Sequence, residues 1–203
     1  MIKKAAPSLI VLLLAPNIAS AEMFVAPFGG YSFASSKLDV VDQNDTSSTL
    51  SIKESDHLGV MLGVTTKDPG NIYVMYSQQS TQIGTHWGSS NPISDVDIHY
   101  YHVGGTLFFS YDNLKPYVTA SVGVTQLRPN AGFSNESRFS MAVGGGIKYH
   151  LSKKVALFAE VKAYATLFNS SSTLFCDATN CAWNIKGDVM WQSQANAGLS
   201  FSF

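Results

Sequence analysis

The last seventeen residues, GDVMWQSQANAGLSFSF at 187–203, constrain this chain more than any other stretch. Every second residue back from the end gives Phe203, Phe201, Leu199, Ala197, Ala195, Ser193 and Trp191. The alternate set is Ser202, Ser200, Gly198, Asn196, Gln194 and Gln192. One set is mostly apolar with aromatics at both ends, and the other is small or polar. A period of two with one apolar and one wet face is a β-strand. Such a strand at a free edge is a hazard in water, and it becomes harmless if it pairs with the first strand of a closed barrel. In lipid, closure is obligatory, because no water satisfies the amides of an open edge.

The pattern recurs along the chain. Strands are expected at 24–35, 56–66, 72–82, 95–110, 117–127, 138–149, 155–168 and 187–203. The second shows it cleanly, with Leu58, Val60, Leu62 and Val64 alternating with Gly59, Met61, Gly63 and Thr65. In 95–110 the phase is set by cost. Tyr101, Val103, Leu107 and Phe109 facing outward puts His102 in the lumen, whereas the opposite phase buries it in lipid. Connections alternate long and short, as in a barrel with short periplasmic turns and longer surface loops. The four long ones, at 36–55, 83–94, 128–137 and 169–186, read as surface loops. Eight strands leave an interior filled by side chains.

Composition agrees. Hydrophobic residues make up 45% of the chain and charged residues 13%, about half the share of roughly 25% usual in soluble domains. No apolar run reaches the 18 residues of a transmembrane helix. Lys3 and Lys4, the run LIVLLL and Ala19-Ser20-Ala21 form an export signal with a cleavage site. The expected domains are thus a signal peptide at 1–21 and a barrel at 22–203. Without Lys3 and Lys4, 11 basic residues face 14 acidic ones, a net charge of −3, which gives no footprint for nucleic acid.

Gly198, Phe201 and the terminal Phe203 resemble the closing-strand signal of Gram-negative outer-membrane barrels. With HVGGTLFF, VGGGIKYHL, the Phe175-Cys176…Cys181 segment and NAGLSFSF, most of the chain resembles the small eight-stranded OmpA/OmpX-type barrels of the outer-membrane β-barrel domain family. The resemblance implies an all-β, antiparallel, up-and-down barrel in the outer membrane. Its partners would be membrane lipid, including the lipopolysaccharide leaflet, and the barrel assembly machinery, which reads Gly198, Phe201 and Phe203. An extracellular ligand could meet the surface loops. The fold itself is nearly silent on function.

Few residues suggest chemistry. Glu160 and Lys162 share the inward face of one strand. With Lys148, Arg138 or His102 they make a lumen polar network that compensates buried charge, or a gated polar path. Asp97 and His99, with Asp56 and His57, lie near the outer rim, where outer-membrane hydrolases keep acidic and His residues. No further matching motif supports catalysis. His99 and His102 are three apart, so a strand points them to opposite faces and they make a poor metal pair. Cys176 and Cys181 are the only cysteines, and in an exported chain they read as a disulfide within the last surface loop. No catalytic residue, metal ligand or cofactor is assigned. The expectation is a non-enzymatic outer-membrane protein with a structural or surface-interaction role, the alternatives being a rim enzyme acting on lipid or peptide, or a narrow pore.

Overall fold

The structure is a computed structural model that describes residues 22–33, 38–41, 47–67, 69–84, 94–109, 113–130, 134–168, 173–176, 181–185 and 189–203. The expected signal peptide at 1–21 lies outside them. The described residues form twelve strands: β1 (Met23–Phe33), β2 (Leu38–Val41), β3 (Ser47–Ile52), β4 (Ser55–Thr65), β5 (Gly70–Gly84), β6 (Ser94–Phe108), β7 (Leu114–Pro129), β8 (Glu136–His150), β9 (Val155–Leu167), β10 (Thr173–Cys176), β11 (Cys181–Ile185) and β12 (Val189–Ser202).

Eight of these close an antiparallel barrel in the order β1, β4, β5, β6, β7, β8, β9, β12. The seam joins the two ends of the chain: β1 pairs with β12, with Val25 opposite Phe201 and Tyr31 opposite Ala195. Closure therefore removes the free edge that the terminal strand would otherwise present.

The wall is inverted relative to a water-soluble barrel. Leu58 (71% exposed), Val143 (59%), Val74, Val103, Val122 and Val161 point outward, while Ser77, Gln79, Thr125, Ser140, Thr166 and Gln194 are buried within. Hydrocarbon is the solvent that makes this arrangement favourable, at roughly 25 cal/mol per Å² of apolar surface withdrawn from water. The outward band is bounded by aromatics. Tyr31, Tyr101, Phe139 and Trp191 lie toward one end, and Phe109, Tyr149 and Phe203 toward the other. From Phe139 to Tyr149, at ~3.3 Å per residue and a tilt of roughly 40°, the chain climbs about 25 Å, the height of an outer-membrane apolar band. The short connections from β4 to β5, β6 to β7 and β8 to β9 share one end with residues 22 and 203. That end is periplasmic by the turn asymmetry of such barrels.

Two features depart from the pattern read in the sequence. The wall strands run past the bilayer, so that β5 continues to Gly84 and β7 begins at Leu114. In addition, segments read as shapeless loops contain β2, β3, β10 and β11. These form a sheet in the order β10-β11-β2-β3, joined to the wall where Ile52 of β3 pairs with Ile83 of β5. They make two local hairpins, β2–β3 and β10–β11, joined by β11 pairing with the sequence-distant β2, which local periodicity does not announce.

Inside, five lumen-facing glycines sit directly opposite aromatics: Phe24 with Gly63, Phe28 with Gly59, Tyr73 with Gly104, Tyr117 with Gly146 and Phe158 with Gly198. The ring lies over the bare backbone, a cross-strand arrangement that pins register. A Cβ at Gly146 would stand 2.8 Å from the Tyr117 ring, and one at Gly198 2.7 Å from Phe158.

Candidate functional site

The alternation that turns apolar residues outward delivers the polar ones to the lumen, and at mid-height they join into one cluster. Lys162 Nζ lies 2.8 Å from Glu160 Oε1, the two side chains being 1% and 3% exposed. Asn196 Nδ2 donates to the same oxygen at 3.1 Å, and the Tyr117 hydroxyl donates to Glu160 Oε2 at 3.2 Å. His57 Nε2 meets Asn196 Oδ1 at 2.5 Å. The ammonium also sits 5.6 Å from the Tyr73 ring centroid and 3.8 Å from Met75 Sδ. Both charges are thus removed from water, paired and further hydrogen-bonded, the condition under which buried ions persist.

Just above, the His102 ring is held from both sides, Nδ1 by Ser121 at 3.0 Å and Nε2 by Ser140 at 2.9 Å. The Tyr100 and Tyr164 rings pack in a tilted pair, 4.3 Å between centroids and 37° between planes, and the Tyr100 hydroxyl donates to Gln192. Nearer the outer end, Ile52, Ile83, Val96, Ile98, Leu127, Phe168 and Met190 form a buried apolar plug. Paired charges, packed tyrosines and an apolar cap fill the barrel in succession.

The residues singled out in the sequence do not all meet. Glu160, Lys162 and His102 share the middle of the lumen. Lys148 lies toward the periplasmic end, donating to Ser200 Oγ at 3.0 Å and facing the Phe24 and Phe108 rings. Arg138 lies toward the outer end, 3.0 Å from Glu136 and 5.8 Å from the Phe168 centroid. The rim groups divide between faces. His57 points inward, whereas Asp97 accepts from Ser80 Oγ at 2.7 Å on the outer wall, and His99 Nδ1 meets the Tyr76 hydroxyl at 2.9 Å. No shared constellation of acid and base results. Among the described residues no group of three or more His, Cys, Asp or Glu is placed to hold a metal. Tyr117 and Asn196 were not singled out in the sequence. Their only signal was parity, the same face as Glu160, which many other residues share.

A closed, inverted, lipid-facing barrel of eight wall strands matches a known family throughout. The chain matches the family described as outer membrane protein beta-barrel domain over residues 8–203. It belongs to this family and is an outer-membrane protein. No curated protein sequence matches it. Solved structures share the fold at low identity. Neisserial surface protein A (NspA) is 13% identical with a TM-score of 0.62, covering 89% of this chain and 97% of that one. OprG from Pseudomonas aeruginosa is 12% identical, TM-score 0.59, covering 90% and 96%. The outer membrane protein AlkL, solved in lipid bilayers, is 14% identical, TM-score 0.56, covering 100% and 97%. Likeness at this identity concerns the fold alone, so role must be argued from the side chains of this outer-membrane barrel.

Proposed function

We propose that this protein is a non-enzymatic anchor whose barrel is closed to solutes and whose work is done by its outer loops. One observation carries the reading: two loops distant in sequence pair into a sheet beyond the outer rim. Asn184 and Ile185 of β11 stand opposite Val41 and Val40 of β2. A loop whose only task is to connect two strands has no need of such order, and preorganised loops lose less entropy on contact with a partner. In this reading the lumen cluster fills and stiffens the barrel. Membrane lipid surrounds the wall, the lipopolysaccharide leaflet borders the outer rim, and Gly198, Phe201 and Phe203 present the closing strand to the assembly machinery. The partner of the loops is an extracellular surface ligand. A deletion strain, complemented with the full chain or with a version lacking residues 38–50 and 173–185, tests this. Loss of adhesion or detergent resistance with the shortened version supports loop function. Full complementation by it removes the reading.

The narrow pore is a second reading, favoured by the polar chain of His57, Asn196, Glu160 and Lys162 along the lumen. Steady conductance in planar bilayers, altered by Glu160→Gln, is its signature, and silent bilayers exclude it.

A further inference from the structure

At the periplasmic mouth, like charges face one another. Lys115 of β7 and Lys148 of β8 are Cα partners, and both side chains turn to the lumen face. Like charges directly opposed across antiparallel strands are destabilising, so an arrangement of this kind requires compensation. The neighbouring groups supply little. Lys148 meets a neutral hydroxyl and two aromatic rings. His150, two residues further along the same face, has its Nδ1 buried with no hydrogen-bond partner. These groups border a cavity of about 320 Å³, into which Lys67 and Lys153 also open and where Glu22 is the one carboxylate among the lining residues. Four ammonium groups against one carboxylate leave the lining with a formal charge of +3. The volume falls at the lower end of small-molecule pockets, roughly 300–1,000 Å³.

The cavity leads nowhere. Through Asn71, Phe108 and Lys148 it adjoins a smaller space that ends against Tyr73, Tyr117 and Glu160. A blind, cationic recess with an unpartnered imidazole nitrogen is built to receive an anion. Its excess charge exceeds what a single carboxylate neutralises, and compact ammonium groups are effective phosphate ligands. Lys148 immediately precedes Tyr149 of the periplasmic aromatic band, which sets the recess at the level of the inner-leaflet headgroups.

We propose that the periplasmic mouth is a binding site for a phosphate group, with Lys115 and Lys148 as its principal ligands and His150 and Lys153 completing it. The phosphate belongs either to an anionic phospholipid headgroup or to a small soluble phosphate. The site faces away from the surface loops and stands or falls independently of their role.

The test uses the full folded chain, with folding checked by heat-modifiable gel mobility. Inorganic phosphate is titrated calorimetrically into the protein in zwitterionic detergent. In parallel, native mass spectrometry counts phosphatidylglycerol retained from mixed phosphatidylcholine discs. The double variant Lys115→Gln/Lys148→Gln should weaken binding about tenfold or more, the effect of losing hydrogen bonds to a charged group. Lys115→Arg/Lys148→Arg should retain it. If the Gln pair fails to fold, Lys67→Gln/Lys153→Gln on the exposed turns serves instead, with a smaller loss expected. Retention of phosphatidylglycerol without response to inorganic phosphate supports the lipid headgroup, and the converse supports a soluble ligand. Binding of neither, or equal binding by the wild-type and Gln proteins, overturns the proposal.

Discussion

Lys162 and Glu160 illustrate how a residue pair can be obligatory without being a source of stability. Breaking a buried ion pair by removing one partner costs about 3–5 kcal/mol, whereas replacing both by apolar groups of similar volume is often neutral or stabilising. Glu160→Ala should therefore lower the unfolding free energy in urea by that amount, while Glu160→Met/Lys162→Met, which removes both charges and strands only the Asn196 and Tyr117 donors, should show a smaller loss. If Glu160→Ala unfolds at the wild-type urea midpoint, the pair is not held as its 2.8 Å separation indicates. The glycines make the opposite point. Gly198→Val would push side-chain carbons into the Phe158 ring and should cost about 1–3 kcal/mol by overpacking. The same measurement on Gly198→Ala should show a smaller loss. Part of this was legible. The side-chain period of two placed Glu160, Lys162, Tyr73 and Asn196 in the lumen, but it gave each strand a face and no height, so it could not say that Asn196 meets Glu160 while Arg138 meets Glu136.

At the level of elements, the wall strands were readable because each carries its own alternation, imposed by lipid on one side and the packed lumen on the other. β2, β3, β10 and β11 were not, because they are short, and their joining into one sheet depends on β11 meeting β2 more than a hundred positions away. Within β10–β11 the two cysteines are Cα partners. We expect them to be joined by a disulfide in the exported protein. Intact mass after alkylation should then be unchanged without reductant and rise by two adducts with it. Closing so small a ring contributes about 2 kcal/mol in the chain-entropy account. Cys181→Ser should therefore speed amide exchange at 181–185 and 38–41 and leave β6 to β9 unaffected. Uniform exchange before and after the substitution would sever the link between the bridge and the outer sheet.

For the whole molecule, the fill of the lumen decides transport. The packed Tyr100 and Tyr164 rings, the buried charge cluster and the apolar plug occupy the cross-section at successive heights. Purified protein in planar bilayers should show no steady conductance. A persistent ohmic current abolished by filling the lumen further, for example with Gly104→Leu, would show that a path survives beside these residues.

What the sequence determined by itself was the solvent of each face. Alternation along every wall strand, with so few charges, is satisfied only by a closed sheet in hydrocarbon, because an open edge or an apolar wall in water would be too costly. Tertiary structure decided what meets what. Cross-strand register sets height within the barrel, and so it brought Asn196 to Glu160 and Lys115 against Lys148. It also drew two loops into one sheet, a pairing between segments whose own residues carry no period that could announce it.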